Sequence, residues 1–338
     1  TISTSCVSVP TPEDSNVARS QVSLFEGHVL LTISQRTPLN GIDKTDTAKI
    51  EPILKPLTFT WKNNTIPYTF VNDVTNPTVC SAETQKTTVL SAMAYWQSVS
   101  CVTFRPIDHI NDYEYLMVAA SAAGIGCYSN LGMIQEGSFI TNIKLDTGCD
   151  SFAIAADMLS HSLGVYSTGG AITDKPSIAT IAKVNEMYKC SASCSTKPAC
   201  LNGGTPSGKD CASCVCPAGW SGAKCDETSA GTQLVQVADT RDVTLSLTGA
   251  FTTADEKVII VQAPAGKKLQ ATIKTFGPEC FTACTIAGVQ ISGSTTDKII
   301  CSTSPTPSDL VSTGNSLTLR LFRTANYAVQ ATVSLNVV

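Results

Sequence analysis

The chain has 338 residues, enough for two or three compact units that each bury a core. Charged residues make up 15% and the formal net charge is -4, which excludes a basic footprint for nucleic acid or an anionic membrane. Fifteen cysteines are far more than a reducing cytosol tolerates, so a secreted, extracellular destination is expected, and the odd count leaves at least one thiol free or bonded to another chain.

Residues 1–56 read as an arm with Pro, Thr and Ser at both ends. Within it Val22 to Ile33 predicts a strand, because Val29, Leu31 and Ile33 alternate with polar or smaller residues. Over 57–190 the signals mix. Phe59 to Phe70 looks extended, Glu83 to Gln97 has helical spacing through Val89, Leu90, Met93 and Trp96, and a further helix is expected over Phe152 to Leu163. Asn63-Asn64-Thr65 is a sequon for N-glycosylation at Asn63. In 191–226, six cysteines fall between Cys194 and Cys225 with little apolar content, so bridges rather than a core must hold that module. In 227–338, short alternating runs such as Val243, Leu245, Leu247 and Val329, Ala331, Val333, Leu335, Val337 predict an all-β sandwich. Apolar runs such as Val258 to Val261 are too short to cross a bilayer, so no membrane span is expected. Thr1 opens no apolar leader, and the chain is expected to be the form left after signal removal.

Trp61, Ile66-Pro67-Tyr68, Ala94-Tyr95-Trp96 and Ser100-Cys101-Val102-Thr103-Phe104 occur in that order, followed by Gly126 to Gly132, Thr147-Gly148-Cys149 and Ile181 to Cys190. Together they resemble the catalytic domain of the astacin family of zinc metalloproteases, in its nematode form with trailing EGF-like and CUB domains. The resemblance implies an α+β domain bridged by Cys101–Cys190 and Cys127–Cys149. The family's active helix carries H-E-x-x-H-x-x-G-x-x-H, since histidines at i and i+4 share a face, a third follows a glycine turn, and the glutamate activates zinc-bound water.

Aligned on that pattern, His161 and Gly164 match, but Asp157 stands at the first ligand position, Met158 at the general base and Ser167 at the third ligand. Asp157 and His161 still share a helical face, which leaves a weak two-ligand site as the alternative to a hydrogen-bonded core histidine. The short stretch from Gly164 to Cys190 leaves no room for the family's lower subdomain, so the domain reads as truncated. In the arm, Phe25-Glu26-Gly27-His28 resembles the pro-segment motif F-x-G-D, whose aspartate blocks the zinc; here His28 takes that place and is read as a solvent-facing strand residue. No dibasic run lies between Arg36 and Leu57, so the arm is expected to stay attached. His109 reads as an ordinary loop or strand residue.

Cys194 to Cys225 resembles an EGF-like module, which implies the pairs Cys194–Cys211, Cys200–Cys214 and Cys216–Cys225. Gln262 to Gly266, Cys284 to Ile291 and Ile300 to Ser302 resemble a CUB domain, which implies Cys284–Cys301. Cys6, Cys80 and Cys280 are left over, and Cys6 could pair with either of the others. With ligands and base missing, the expectation is a non-enzyme that needs no cofactor: a secreted binding or structural protein. Its partners would be an extracellular protein or glycan, or further copies of itself joined through the Val22 to Ile33 strand into chains or fibres. The alternative is an active zinc metalloendopeptidase with a non-standard site.

Overall fold

The computed structural model describes residues 24–25, 28–43, 47–71, 82–120, 126–135, 139–146, 149–166, 175–192, 194–249, 255–277, 287–294, 298–301, 310–323 and 327–338. Gly27, Ser167, Cys6, Cys80, Cys280 and Cys284 lie outside them. The described residues form two compact units: one extends to Lys197 and includes Ser207–Cys211, and the other comprises Pro198–Pro206 and Ala212–Val338.

In the first unit the arm contributes β1 (Val29–Leu30), a one-turn helix α1 (Ile33–Arg36) and α2 (Thr47–Leu54). The strand expected over Val22 to Ile33 is confined, among the described residues, to β1. Thr32 ends it by forming a capping box with Gln35, so Ile33 enters a helical turn and is 80% exposed while Leu31 is buried. After β2 (Thr65–Val71) comes the long helix α3 (Ala82–Val99), then β3 (Thr103–Pro106), β4 (Tyr115–Ala120), β5 (Tyr128–Asn130), β6 (Ile140–Leu145), α4 (Phe152–Ser162) and α5 (Ile178–Met187).

The six strands form one mixed sheet in the order β1-β5-β6-β4-β2-β3, parallel except for the β5–β6 pair. The strand proposed from sequence for a neighbouring copy is therefore paired within its own chain, Val29 opposite Ser129. Phe25, Val29, Leu31, Leu39, Ile50 and Leu54 of the arm share a core cluster with Leu131 and Tyr166, which fixes the arm by apolar burial as well as by the ladder. Bridges Cys101–Cys190 and Cys127–Cys149 lie in this unit. The first closes a long loop, the kind for which a cross-link restricts the unfolded chain most, by about 4–5 kcal/mol in the chain-entropy model.

Cysteine bridges Cys194–Cys211, Cys200–Cys214 and Cys216–Cys225 hold the next stretch, whose strands β7 (Thr205–Pro206), β8 (Cys214–Val215), β9 (Trp220–Ser221) and β10 (Glu227–Thr228) are two residues each. The C-terminal region is a sandwich. Its five-stranded sheet comprises β11 (Gln233–Gln236), β13 (Asp255–Gln262), β15 (Ala287–Ser292), β16 (Lys298–Ile300) and β17 (Ser316–Arg323). Its three-stranded sheet comprises β12 (Arg241–Leu247), β14 (Leu269–Gly277) and β18 (Val329–Val337). Leu245, Ile273 and Val333 from one sheet and Val261, Val289 and Leu319 from the other lie in a single core, as inward-facing residues of a sandwich must. Cys301 is disulfide-bonded.

Candidate metal centre

Helix α4 begins at Ser151, whose hydroxyl accepts from the Ile154 amide, and every residue from Ala155 to Ser162 is buried. Two indoles hold it, one at its middle and one at its last residue: Trp96 Nε1 donates to Ala156 O (2.9 Å) and Trp61 Nε1 to Ser162 O (2.9 Å). Tyr188 adds a hydroxyl bond to Leu163 O (3.0 Å), and the Gly132 amide one to His161 O (2.8 Å). The helix stops at Gly164, where Val165 N donates to Ser160 O and Gly164 N to His161 O, the paired bonds of a Schellman ending. Gly164 has φ +93, and a Cβ there would sit 2.8 Å from Thr58 Cγ2 and 3.1 Å from Met187 Sδ, so only glycine fits this turn.

Asp157 and His161 project from one face, with His161 Nε2 3.7 Å from Asp157 Oδ2. Asp157 is 6% exposed and His161 fully buried. Burial pushes the His161 pKa down to about 4, opposed by the Asp157 charge and assisted by His28. The imidazole is thus neutral near pH 7, so its contact with Asp157 is not an ion pair, and neutral imidazole is the form that binds metals.

His28 comes from the arm. Phe25 and Val29 exchange both backbone bonds around it (2.8 and 3.0 Å), and the Ser129 amide of β5 donates to His28 O (3.1 Å). Next to this turn the Phe25 ring packs 5.7 Å from Tyr166, just beyond the end of α4. The His28 ring lands 5.0 Å from that of His161, tilted by 32°. One donor atom each from His28, Asp157 and His161 lies within 4.8 Å of the other two. Tetrahedral zinc at ordinary bond lengths sets its donors about 3.4 Å apart, so this nitrogen, oxygen and nitrogen set needs only small side-chain adjustments to take the ion. Donor chemistry and spacing therefore fit a zinc-type site with three protein ligands.

The outcome corrects one expectation. His28 is not a solvent-facing strand residue; it sits half-buried in a turn and completes the cluster. The signal for it was in the sequence, since the exchange of aspartate for histidine in the F-x-G-D motif replaces one metal-ligating side chain by another at a position that, by the resemblance, faces the zinc. Met158 is buried beside the cluster and brings no proton acceptor. His109 is exposed in the turn between β3 and β4, away from the cluster.

A buried, glycine-terminated helix bearing candidate donors at i and i+4, set against a mixed sheet, is the α+β arrangement that the sequence resemblance implied. Residues 54–189 match the family model for Astacin, a peptidase family, and this segment is an astacin-family domain. Among curated relatives, zinc metalloproteinase nas-23 of Caenorhabditis elegans is 23% identical over 70% of this chain and 58% of its own length. Zinc metalloproteinase nas-31 of the same organism is 24% identical over 79% of this chain and 55% of its own. The chain thus spans somewhat more than half the length of these relatives. Among solved structures, high choriolytic enzyme 1, a hatching enzyme zinc-protease from medaka, aligns at 25% identity over 32% of this chain and 48% of that chain, with a TM-score of 0.24. The CUB1-EGF-CUB2 domains of rat MASP-1 align at 11% identity over 32% and 42%, with a TM-score of 0.24.

The expectation of a non-enzyme is overturned on two counts. It rested on missing ligands and a missing base; a third candidate donor, His28, lies with Asp157 and His161 in the cluster, and the relatives that match across most of the chain are named as zinc metalloproteinases.

Proposed function

We propose that the chain is an extracellular zinc-dependent endopeptidase of astacin type whose metal is held by His28, Asp157 and His161. The convergence of these three donors is the observation that supports this reading, since three protein ligands with one open position is the usual composition of a catalytic zinc site. Zinc held by these three residues would supply a Lewis acid for hydrolysis. Asp157 and His161 are held rigid by the indole and glycine anchors of α4, which preserves donor spacing without the metal. His161 enters the site already neutral, so metal binding displaces no proton from it.

Met158 cannot accept a proton, so α4 brings no general base beside its two donors. The arm has a different part from the one its family motif implies. With His28 as a ligand, the arm belongs to the working site, in keeping with the absence of a dibasic run after it. The disulfide-rich composition and the absence, among the described residues, of a helix long and apolar enough to cross a membrane support the extracellular setting.

The test is metal analysis of the purified full chain together with cleavage of an unstructured protein substrate. One zinc per chain and cleavage abolished by a chelator and restored by zinc are expected. A chain that takes up no zinc, or whose cleavage is indifferent to the chelator, overturns the reading.

A further inference from the structure

We infer that Asn63 carries an N-linked glycan that stands beside the β3 end of the six-stranded sheet. The inference is independent of the metal reading. Lys62–Asn64 form a tight turn just ahead of β2, with Asn63 in the left-handed region (φ 53, ψ 27), a conformation asparagine tolerates better than most residues. Asn63 is exposed, so a sugar on its amide displaces no packed group.

The two adjacent asparagines are sharply different. Asn64 Nδ2 donates to Tyr188 O and to Cys101 Sγ, both 3.1 Å away, which ties its side chain to the Cys101–Cys190 bridge. Asn63 is the one that points the sequon outward, and Thr65 supplies the hydroxyl the sequon requires. Asn76-Pro77-Thr78 has the same outer residues but a proline between them, which disqualifies it.

Location gives the glycan a consequence. Thr65 lies opposite Thr103, the first residue of β3, and their hydroxyls are 3.2 Å apart. Among the described residues β3 is the last strand of the sheet, and Thr103, Arg105 and Pro106 on it are exposed. The Phe104 amide donates to Gln97 Oε1 (2.8 Å) and Pro106 O accepts from Arg105 (3.2 Å), so side chains already cap much of this edge, and a bulky solvated group at its start adds to that protection against pairing with another chain. Arg105 and Pro106 serve the same end along the strand.

In the modification, the Asn63 amide nitrogen forms a bond to the anomeric carbon of an oligosaccharide carried on a polyprenyl pyrophosphate. The bond between that carbon and the pyrophosphate oxygen breaks, the amide loses one proton, and the polyprenyl pyrophosphate leaves. No oxidant or reductant is involved.

The experiment is secretion of the full chain from eukaryotic cells behind a heterologous leader, followed by peptide:N-glycosidase treatment and peptide mass analysis. A glycosidase-sensitive mobility shift is expected, with aspartate appearing at position 63 after treatment. The shift is expected to vanish in Asn63→Asp, which keeps the left-handed turn, and in Thr65→Ala, and to persist in Thr65→Ser. A secreted chain with unmodified Asn63, or a shift that survives in Asn63→Asp, overturns the inference.

Discussion

The ring of His28 lies 5.0 Å from the ring of His161, bringing together a turn of the N-terminal arm and the buried helix α4. The arm reaches this position through the β1–β5 ladder and the Phe25–Tyr166 contact, neither of which involves a metal. His28→Ala is expected to weaken zinc binding by more than about 100-fold, since loss of an outer-shell partner alone typically costs 10–100-fold. His109→Ala should leave it unchanged. Competition against a chromophoric chelator measures both; equal affinities for wild type and His28→Ala would remove the arm from the site.

The two helices, the disulfide-held module and the β-sandwich were legible because periodicity and cysteine spacing are local properties, while the α+β class came from the family resemblance. The helix expected over Glu83 to Gln97 is observed as Ala82–Val99, and that over Phe152 to Leu163 as Phe152–Ser162. The arm was harder to read. Alternation at Val29, Leu31 and Ile33 looks like a strand, but the Thr32–Gln35 capping box overrides it after two residues. The site was misjudged for a related reason: a helical motif reports only ligands on the helix, whereas His28 arrives by a tertiary contact. Both residues of the local pair, Asp157 and His161, were visible from their spacing alone.

Trp61 couples the start of the domain to the end of α4 through its 2.9 Å bond to Ser162 O. Trp61→Phe keeps most of the ring but leaves that buried carbonyl without its indole donor. A loss of about 1–3 kcal/mol is expected, read as a lower denaturant midpoint with an unchanged slope. Zinc affinity should fall with it, because the last turn of α4 carries His161. A variant as stable as wild type would show that the indole contributes packing alone.

Gly164 is where the helix must turn. An alanine there combines a positive φ with contacts inside the normal range to Thr58 and Met187. Gly164→Ala is expected to cost about 1–3 kcal/mol, more than the ordinary helix-to-alanine benefit could offset. Thr58→Ser in the same chain removes the Cγ2 methyl that the new Cβ would meet, and should recover part of the loss. Thermal unfolding of the single and double variants separates backbone strain from the clash: no recovery assigns the cost to φ.

Tyr188 gives a pH dependence with a definite sign. Its hydroxyl is buried between Leu163 O and the Trp61 amide, and burial raises its pKa above the ordinary value of 10, partly offset by the Trp61 hydrogen bond. The folded state therefore retains this proton where the unfolded chain has released it, so stability is full below pH 10 and falls as pH rises beyond it. Tyr188→Phe should lower stability at neutral pH by about 1 kcal/mol through the lost bond to Leu163 O, and should flatten the alkaline decline. Denaturant titrations at neutral and alkaline pH measure both slopes; parallel declines in the two proteins would place the alkaline sensitivity on another group. Since Leu163 immediately follows α4, the same hydrogen bond ties the alkaline limit of the fold to the helix that bears Asp157 and His161.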